Sequence, residues 1–75
     1  MSEHGVVLML TIHAVFRLEK ALRERGLDCK PIPTPRHLSS DCGTALRFVW
    51  SQRDDVETAI ARLGVDTEGI HRLTE

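Results

Sequence analysis

The 75-residue chain carries ten Lys and Arg residues and eleven Asp and Glu residues, which gives a formal net charge of −1. Because the charges balance and the sequence has no basic block, it lacks the cationic surface with which proteins bind nucleic acid, and no nucleic-acid partner is expected. The length predicts a single domain over residues 1–75, with a thin hydrophobic core.

The first residues of the chain favour a cytoplasmic location. The segment MSEHG has an acidic residue where a signal peptide carries positive charge, and the apolar run over residues 6–12 is too short to span a membrane. We therefore expect a cytoplasmic protein that does not bind a membrane. Two cysteines are too few for a disulfide framework, so both are expected to be free thiols in a reducing compartment.

The first predicted elements are a strand and a helix. Residues 6–12 are almost all apolar, which is typical of a strand buried on both faces. The segment TIHAVFRLEKALRERG then changes to helical spacing, with Thr11 as the N-cap and Gly26 as the residue that ends the helix.

A proline-rich second strand follows in the segment LDCKPIPTP, with prolines at positions 31, 33 and 35. Backbone N–H groups point alternately to the two sides of a strand, so the three missing donors all lie along one side. That side cannot pair with another strand. The segment is therefore predicted to be an edge strand.

The second half of the chain predicts a strand, a helix and a strand. TALRFVW alternates like a half-buried strand, Ser51 and Asp54 resemble a capping box that begins a helix, and Gly64 ends it. EGIHRLTE predicts a short last strand. The order βαββαβ predicts an α+β, ferredoxin-like fold with a four-stranded antiparallel sheet of order 4-1-3-2 and both helices on one face.

The opposite face of that sheet is predicted to lack helices. In a consistent register it carries Val7, Met9, Ala45 and Val49, an apolar patch interrupted by Arg47. We therefore expect a homodimer through the open sheet face, or a partner protein that covers it.

The two cysteines have different sequence surroundings. Cys29 lies in strand phase with Leu27 and Pro31, which predicts a small buried apolar residue. Cys42 lies in a polar loop immediately before Gly43, where a thiol is expected to meet solvent.

The neighbours of Cys42 affect its thiolate in opposite directions. Arg36, His37 and Arg47 favour the thiolate, whereas Asp41 disfavours it. The Ser39 and Ser40 hydroxyls and the Gly43 amide could donate hydrogen bonds to a sulfur anion, or the serines could belong to an ordinary turn. Both alternatives stay open on the sequence pattern.

Enzymatic and metal chemistry have little support in the sequence. A nucleophilic pair of Cys42 with His37 or His13 lacks an orienting third group, so a carrier or binding module is favoured over an enzyme. No C-x-x-C or H-x-x-x-H spacing occurs, and neither a metal nor another cofactor is expected.

The segment TIHAVFRLEKALRERGLDCKPIPTPRHLSSDCGTALRF resembles a small selenium or sulfur carrier-like domain family. The shared features are a helical Glu-Lys pair, a Pro-Thr-Pro-Arg motif, a serine pair and a Cys-Gly pair. In this chain they are Glu19 and Lys20, residues 33–36, Ser39 and Ser40, and Cys42 and Gly43. The resemblance implies a thiol-based carrier centred on Cys42, with Arg36, Ser39, Ser40 and Gly43 as binding residues.

Two functional hypotheses follow. In the first, Cys42 accepts sulfur or selenium from a desulfurase or a selenium-handling donor, holds it as a persulfide or selenosulfide, and passes it to an acceptor protein. In the second, the loop from residue 33 to residue 43 is a non-catalytic module that binds a protein or a small anion, and the cysteine is not redox-active.

Overall fold

The computed structural model describes residues 3–38 and 43–73. Within them, four strands and two helices follow the predicted order βαββαβ. The elements are β1 (His4–Met9), α1 (Ile12–Glu24), β2 (Cys29–Pro33), β3 (Thr44–Val49), a 3₁₀ turn (Trp50–Gln52), α2 (Arg53–Leu63) and β4 (Thr67–Arg72).

The strands form one sheet in the order β2-β3-β1-β4, and every neighbouring pair is antiparallel. This order is the predicted 4-1-3-2 read from the opposite edge, and the α+β, ferredoxin-like fold is confirmed. Leu8 of β1 lies opposite Ala45 of β3 on one side and opposite Gly69 of β4 on the other. The strand with the longest apolar run, β1, is thus one of the two central strands of the sheet.

Pro31 and Pro33 lie along the free edge of β2, whereas Pro35, predicted to share that edge, lies beyond the end of the strand. The Thr34 backbone N–H donates to the Gly43 carbonyl at 3.1 Å, so Ile32 and Lys30, which share its phase, also direct their N–H groups towards β3. The nitrogen atoms of Pro31 and Pro33 therefore lie on the opposite side, where β2 has no neighbouring strand. The predicted edge position of this strand is confirmed.

Helix α1 begins and ends at the predicted residues. The Thr11 hydroxyl oxygen accepts a hydrogen bond from the Ala14 N–H at 3.1 Å, which satisfies one of the free donors of the first turn. At the other end Gly26 adopts a φ of 78°, and the Leu27 N–H donates to the Leu22 carbonyl at 2.9 Å. Glycine adopts this left-handed conformation without the steric cost that a Cβ imposes.

The capping box predicted from Ser51 and Asp54 is wrong. A 3₁₀ turn separates β3 from α2, and Gln52 is the N-cap without a side-chain capping hydrogen bond. The backbone N–H of Trp50 donates to the Glu3 carbonyl at 2.9 Å, which extends the pairing between β3 and β1 by one more residue on each chain segment. The α-helix therefore begins after Trp50, beyond the residues that pair with β1.

The main core lies between the sheet and the two helices. Phe48 and Leu46 of β3 are almost fully buried there with Val7 and Met9 of β1. The helices add Ala14, Val15, Leu18, Leu22, Val56 and Ala59 to this core.

Our prediction that Val7 and Met9 lie on the helix-free face is therefore wrong. Val6 and Leu8 lie on that face instead, in one cluster with Ala45. The physical reason is that β1 is apolar at each position from Val6 to Met9, so hydrophobic alternation does not distinguish one face from the other.

The helix-free face is covered by other parts of the chain. Val6, Leu8 and Ala45 are only 0%, 3% and 0% exposed. Three partly buried side chains pack against them, namely Ile32, Leu38 and Leu73. The apolar patch on which the predicted homodimer relied is thus largely buried within one chain, and the dimer itself stays a prediction.

Gly5 lies beneath a pair of aromatic rings. Phe48 and Trp50 stack with centroids 5.9 Å apart, and the Arg53 guanidinium lies 5.4 Å from the Trp50 ring. A Cβ atom at Gly5 would lie 2.7 Å from Phe48 Cζ and even closer to Trp50 Cε3. Glycine is required here because the rings occupy the space of a side chain.

Replacement of Gly5 by alanine is expected to lower the free energy of unfolding by about 1–3 kcal/mol, the usual cost of forcing extra volume into a packed site. Urea denaturation followed by far-UV circular dichroism measures the change. In a Trp50→Leu background the same replacement should cost less, because the closest ring atoms are absent. An equal cost in both backgrounds would contradict the steric explanation.

Simultaneous replacement of Pro31, Pro33 and Pro35 by threonine should promote aggregation, because the changes at Pro31 and Pro33 restore N–H donors along the free edge of β2. Static light scattering at increasing protein concentration measures the effect. The matched control is Lys30→Thr, which adds a threonine to the same strand without adding an edge donor. Equal solubility of the triple variant and the control would oppose an edge-protecting role of the prolines.

Candidate functional site

The connection between β2 and β3, residues 34–43, begins and ends on a paired hairpin. Pro33 pairs with Thr44, and the next residues outward are joined by the hydrogen bond from Thr34 N–H to the Gly43 carbonyl. Gly43 has a φ of 73°, and a Cβ atom there would meet no atom within 4 Å. The backbone conformation, rather than lack of space, therefore favours glycine after Cys42.

The predicted site residues divide between described and undescribed parts of the chain. Ser39, Ser40 and Cys42 lie outside the described residues. Arg36 and Gly43 are described, and both are exposed. Arg36 forms no ion pair with any described residue.

A turn directs the first half of the 34–43 connection towards the helix-free face of the sheet. The Leu38 N–H donates to the Pro35 carbonyl at 2.9 Å, and the Leu38 side chain packs on the cluster of Val6, Leu8 and Ala45. Arg36, in the middle of the turn, is left exposed to solvent. The connection is thus fixed at Thr34, at Leu38 and at Gly43.

One polar atom of the Pro-Thr-Pro-Arg motif has no hydrogen-bond partner among the described residues. The Thr34 hydroxyl oxygen is buried and makes no hydrogen bond with any described residue. An unsatisfied buried hydroxyl costs roughly 1–3 kcal/mol. Sequence reasoning did not find this feature, because nothing in the motif shows which side of the strand end the hydroxyl faces.

Cys29 is sequestered at the start of β2, and its predicted burial is confirmed. The residue is 6% exposed, and its Sγ donates to the Glu19 carbonyl oxygen at 3.7 Å. Burial raises the pKa of the Cys29 thiol; the Arg23 guanidinium opposes this shift, and the carboxylates of Glu19 and Asp28 add to it. The thiol is therefore protonated at neutral pH and has little nucleophilic character.

Three element ends lie at the end of the sheet where the 34–43 connection leads into β3. Because Leu8 pairs with Ala45, the end of β1 and the beginning of β3 lie at the same end of the sheet, and α1 begins there too. Helix α1 packs mainly over β2 and β3, which carry the connection. The sequence predicted a first strand over residues 6–12, whereas β1 ends at Met9; the predicted Thr11 cap does mark the start of α1.

The described residues 3–38 and 43–73 contain no group of three or more His, Cys, Asp or Glu side chains arranged to hold a metal ion. None of the helices in these two ranges has the length and hydropathy needed to cross a membrane.

The chain matches a known protein family. The model of a family described as "Putative Se/S carrier protein-like" matches residues 4–72. The chain belongs to this family. The resemblance found in the Pro-Thr-Pro-Arg and Cys-Gly motifs is thereby confirmed, and the family match extends beyond these motifs to all four strands. No significant match is found among curated proteins or among solved structures.

The two thiols are expected to react at different rates with a disulfide reagent such as Ellman's reagent. Cys29 should react slowly at pH 7–8 because its thiol is buried and its pKa is raised. Its rate should rise as the pH increases beyond about 8.5, the ordinary thiol pKa, because deprotonation is displaced to higher pH. Absorbance of the released thiolate measures both rates.

The single-cysteine variants assign the reaction phases. Cys29→Ser should keep the fast phase and Cys42→Ser should lose it, while both thiols should react rapidly in denaturant. A fast phase that persists in Cys42→Ser would show that Cys29 is accessible and would contradict its sequestration.

Proposed function

We propose that the protein is a sulfur or selenium carrier in which Cys42 accepts the transferred atom. The observation that carries the proposal is family membership over residues 4–72, a range that includes Cys42 and the Pro-Thr-Pro-Arg motif. The burial of Cys29 adds support, because it leaves Cys42 as the other thiol of the chain.

The transfer needs no external oxidant or reductant. The Cys42 thiolate attacks the outer sulfur of a donor persulfide, R–S–SH, and a bond forms between Cys42 Sγ and that sulfur. The bond between the two donor sulfurs breaks, and its electron pair leaves with the donor thiolate, R–S⁻. The products are Cys42–S–SH and R–S⁻, and R–S–SeH reacts in the same way to give Cys42–S–SeH.

Groups around the 34–43 connection would assist this reaction. The Arg36 guanidinium is exposed and free of ion pairs with described residues, so it can stabilise a thiolate or persulfide anion. Ser39, Ser40 and the Gly43 amide are proposed hydrogen-bond donors to the same anion. The paired ends of the connection would limit the entropy lost when a partner engages it.

Sequestration of Cys29 would protect the cargo. An accessible Cys29 thiolate could attack Cys42–S–SH at the Cys42 sulfur, form a Cys29–Cys42 disulfide and release HS⁻. Such a reaction would discharge the carrier before it met an acceptor. Burial and protonation of Cys29 both oppose it.

A loading experiment tests the proposal. Incubation with a cysteine desulfurase and free cysteine should add one sulfur atom per chain, detected by intact-protein mass spectrometry and removed by dithiothreitol. Cys29→Ser should load as the wild type does, and Cys42→Ser should not load, because it lacks the acceptor thiolate. Incubation with selenide and a low-molecular-weight disulfide tests selenium in the same way.

Failure of every sulfur and selenium donor to load the wild type would overturn the carrier function. The alternative, a protein- or anion-binding module with a redox-inactive cysteine, predicts that alkylation of Cys42 weakens partner binding without abolishing it. For a carrier, the same alkylation abolishes transfer.

A further inference from the structure

The described residues leave three large apolar side chains exposed, and all three lie between β1 and the second turn of α1. Leu10 and Ile12 are each 40% exposed, and Phe16 is 53% exposed. Ile12 and Phe16 are four residues apart in the helix and therefore lie side by side on its surface. We call Leu10, Ile12 and Phe16 the Phe16 patch.

The position of the Phe16 patch relates it to Cys42. The patch lies where β1 ends and α1 begins, and β3 begins at this same end of the sheet, immediately after Gly43. The antiparallel register that pairs Leu8 with Ala45, continued by two residues, brings Leu10 level with Gly43, the last residue of the 34–43 connection. A protein that contacts the patch would therefore approach this connection.

Positive charges without ion-pair partners in the described part of the chain adjoin the Phe16 patch. Arg17 and Lys20 are exposed on α1 and form no ion pair with any described residue. Arg23, further along the helix, is instead paired with Glu19 at 3.2 Å. Two described acidic residues at this end, Asp66 and Glu68, belong to the α2–β4 side of the sheet.

We propose that the Phe16 patch is the docking surface for the protein that delivers sulfur or selenium to Cys42, a proposal that rests on the carrier function. The complementary surface on the donor presents an apolar side chain flanked by carboxylates, which would contact the patch and the cations Arg17 and Lys20. Three side chains form a small contact, suited to a complex of roughly micromolar affinity that dissociates after transfer.

Binding is measured separately from transfer. A cysteine desulfurase without its cysteine substrate is titrated against the Cys42→Ser variant in sedimentation or interferometry, so that no sulfur moves. Adding Phe16→Glu to this background should weaken binding at least roughly tenfold, because it places a carboxylate where the donor presents apolar and acidic groups.

Two matched variants control for folding and for charge. Phe16→Leu keeps the patch apolar and should bind as the Cys42→Ser background does. Ser51→Glu introduces the same carboxylate on an exposed residue at the opposite end of the sheet and should also leave binding unchanged. Thermal unfolding of each variant should match its background, since Phe16 is exposed.

Loading separates the docking proposal from the carrier function. With Cys42 present, Phe16→Glu should accept sulfur from the desulfurase at least roughly tenfold more slowly, yet accept it from glutathione persulfide at the wild-type rate, since this small donor needs no docking surface. Absence of loading by either donor in the wild type would overturn the carrier function, and binding would still decide whether the patch contacts the desulfurase.

Four results would overturn the docking proposal. These are absence of desulfurase binding to the Cys42→Ser background, unchanged binding in Phe16→Glu, equal loss of binding in Ser51→Glu, and slower loading of Phe16→Glu by glutathione persulfide. A change from dimer to monomer in Phe16→Glu with unchanged desulfurase binding would instead assign the patch to a second copy of the chain.

Discussion

The structure depends on the burial of β1 on both of its faces. Val6 and Leu8 face one side and Val7 and Met9 the other, and all four are almost fully removed from water. Burial of an aliphatic side chain of this size contributes roughly 1.5–3 kcal/mol each. The helices cover only one face of the sheet. Burial of Val6 and Leu8 therefore requires that other residues cover the opposite face.

The 34–43 connection supplies part of that cover. Leu38 packs on the cluster of Val6, Leu8 and Ala45, so the same segment that leads to Cys42 also completes the second core cluster. Fold stability and the position of the candidate site are therefore coupled through one leucine. This coupling explains why a segment rich in proline and polar residues contains an apolar residue at this position.

Both sheet edges carry features that oppose pairing with another chain. On β2 the prolines remove the outward donors. Where β4 pairs with β1, Leu8 lies opposite Gly69, and the next residue, Met9, lies opposite Thr67. Glu68 therefore has no partner in β1, and the neighbouring Gly69 has a φ of 135°. A bulge of this kind twists an edge away from regular pairing. The exposed apolar surface instead lies at the end of the sheet, beside the connection that carries Cys42.

The success of sequence reasoning differed from element to element for physical reasons. Proline phase, the Thr11 cap and the Gly26 stop are local rules, and each was sufficient to place its element. The face assignment of β1 failed because alternation carries no information when both faces are apolar. Exposure of Ile12 and Phe16 depends on which side of α1 meets the sheet, and no local rule gives that.

The burial of Cys29 was the part of the site that strand phase could predict. Phase placed Cys29 in the core, but its interaction with α1 involves the Glu19 carbonyl and the Arg23 side chain, contacts that depend on how helix and strand pack. In the proposed carrier, these contacts would keep Cys29 from discharging a persulfide on Cys42. Such a carrier needs one cysteine to react and the other to stay inert, and the interface between α1 and β2 would provide the inert one.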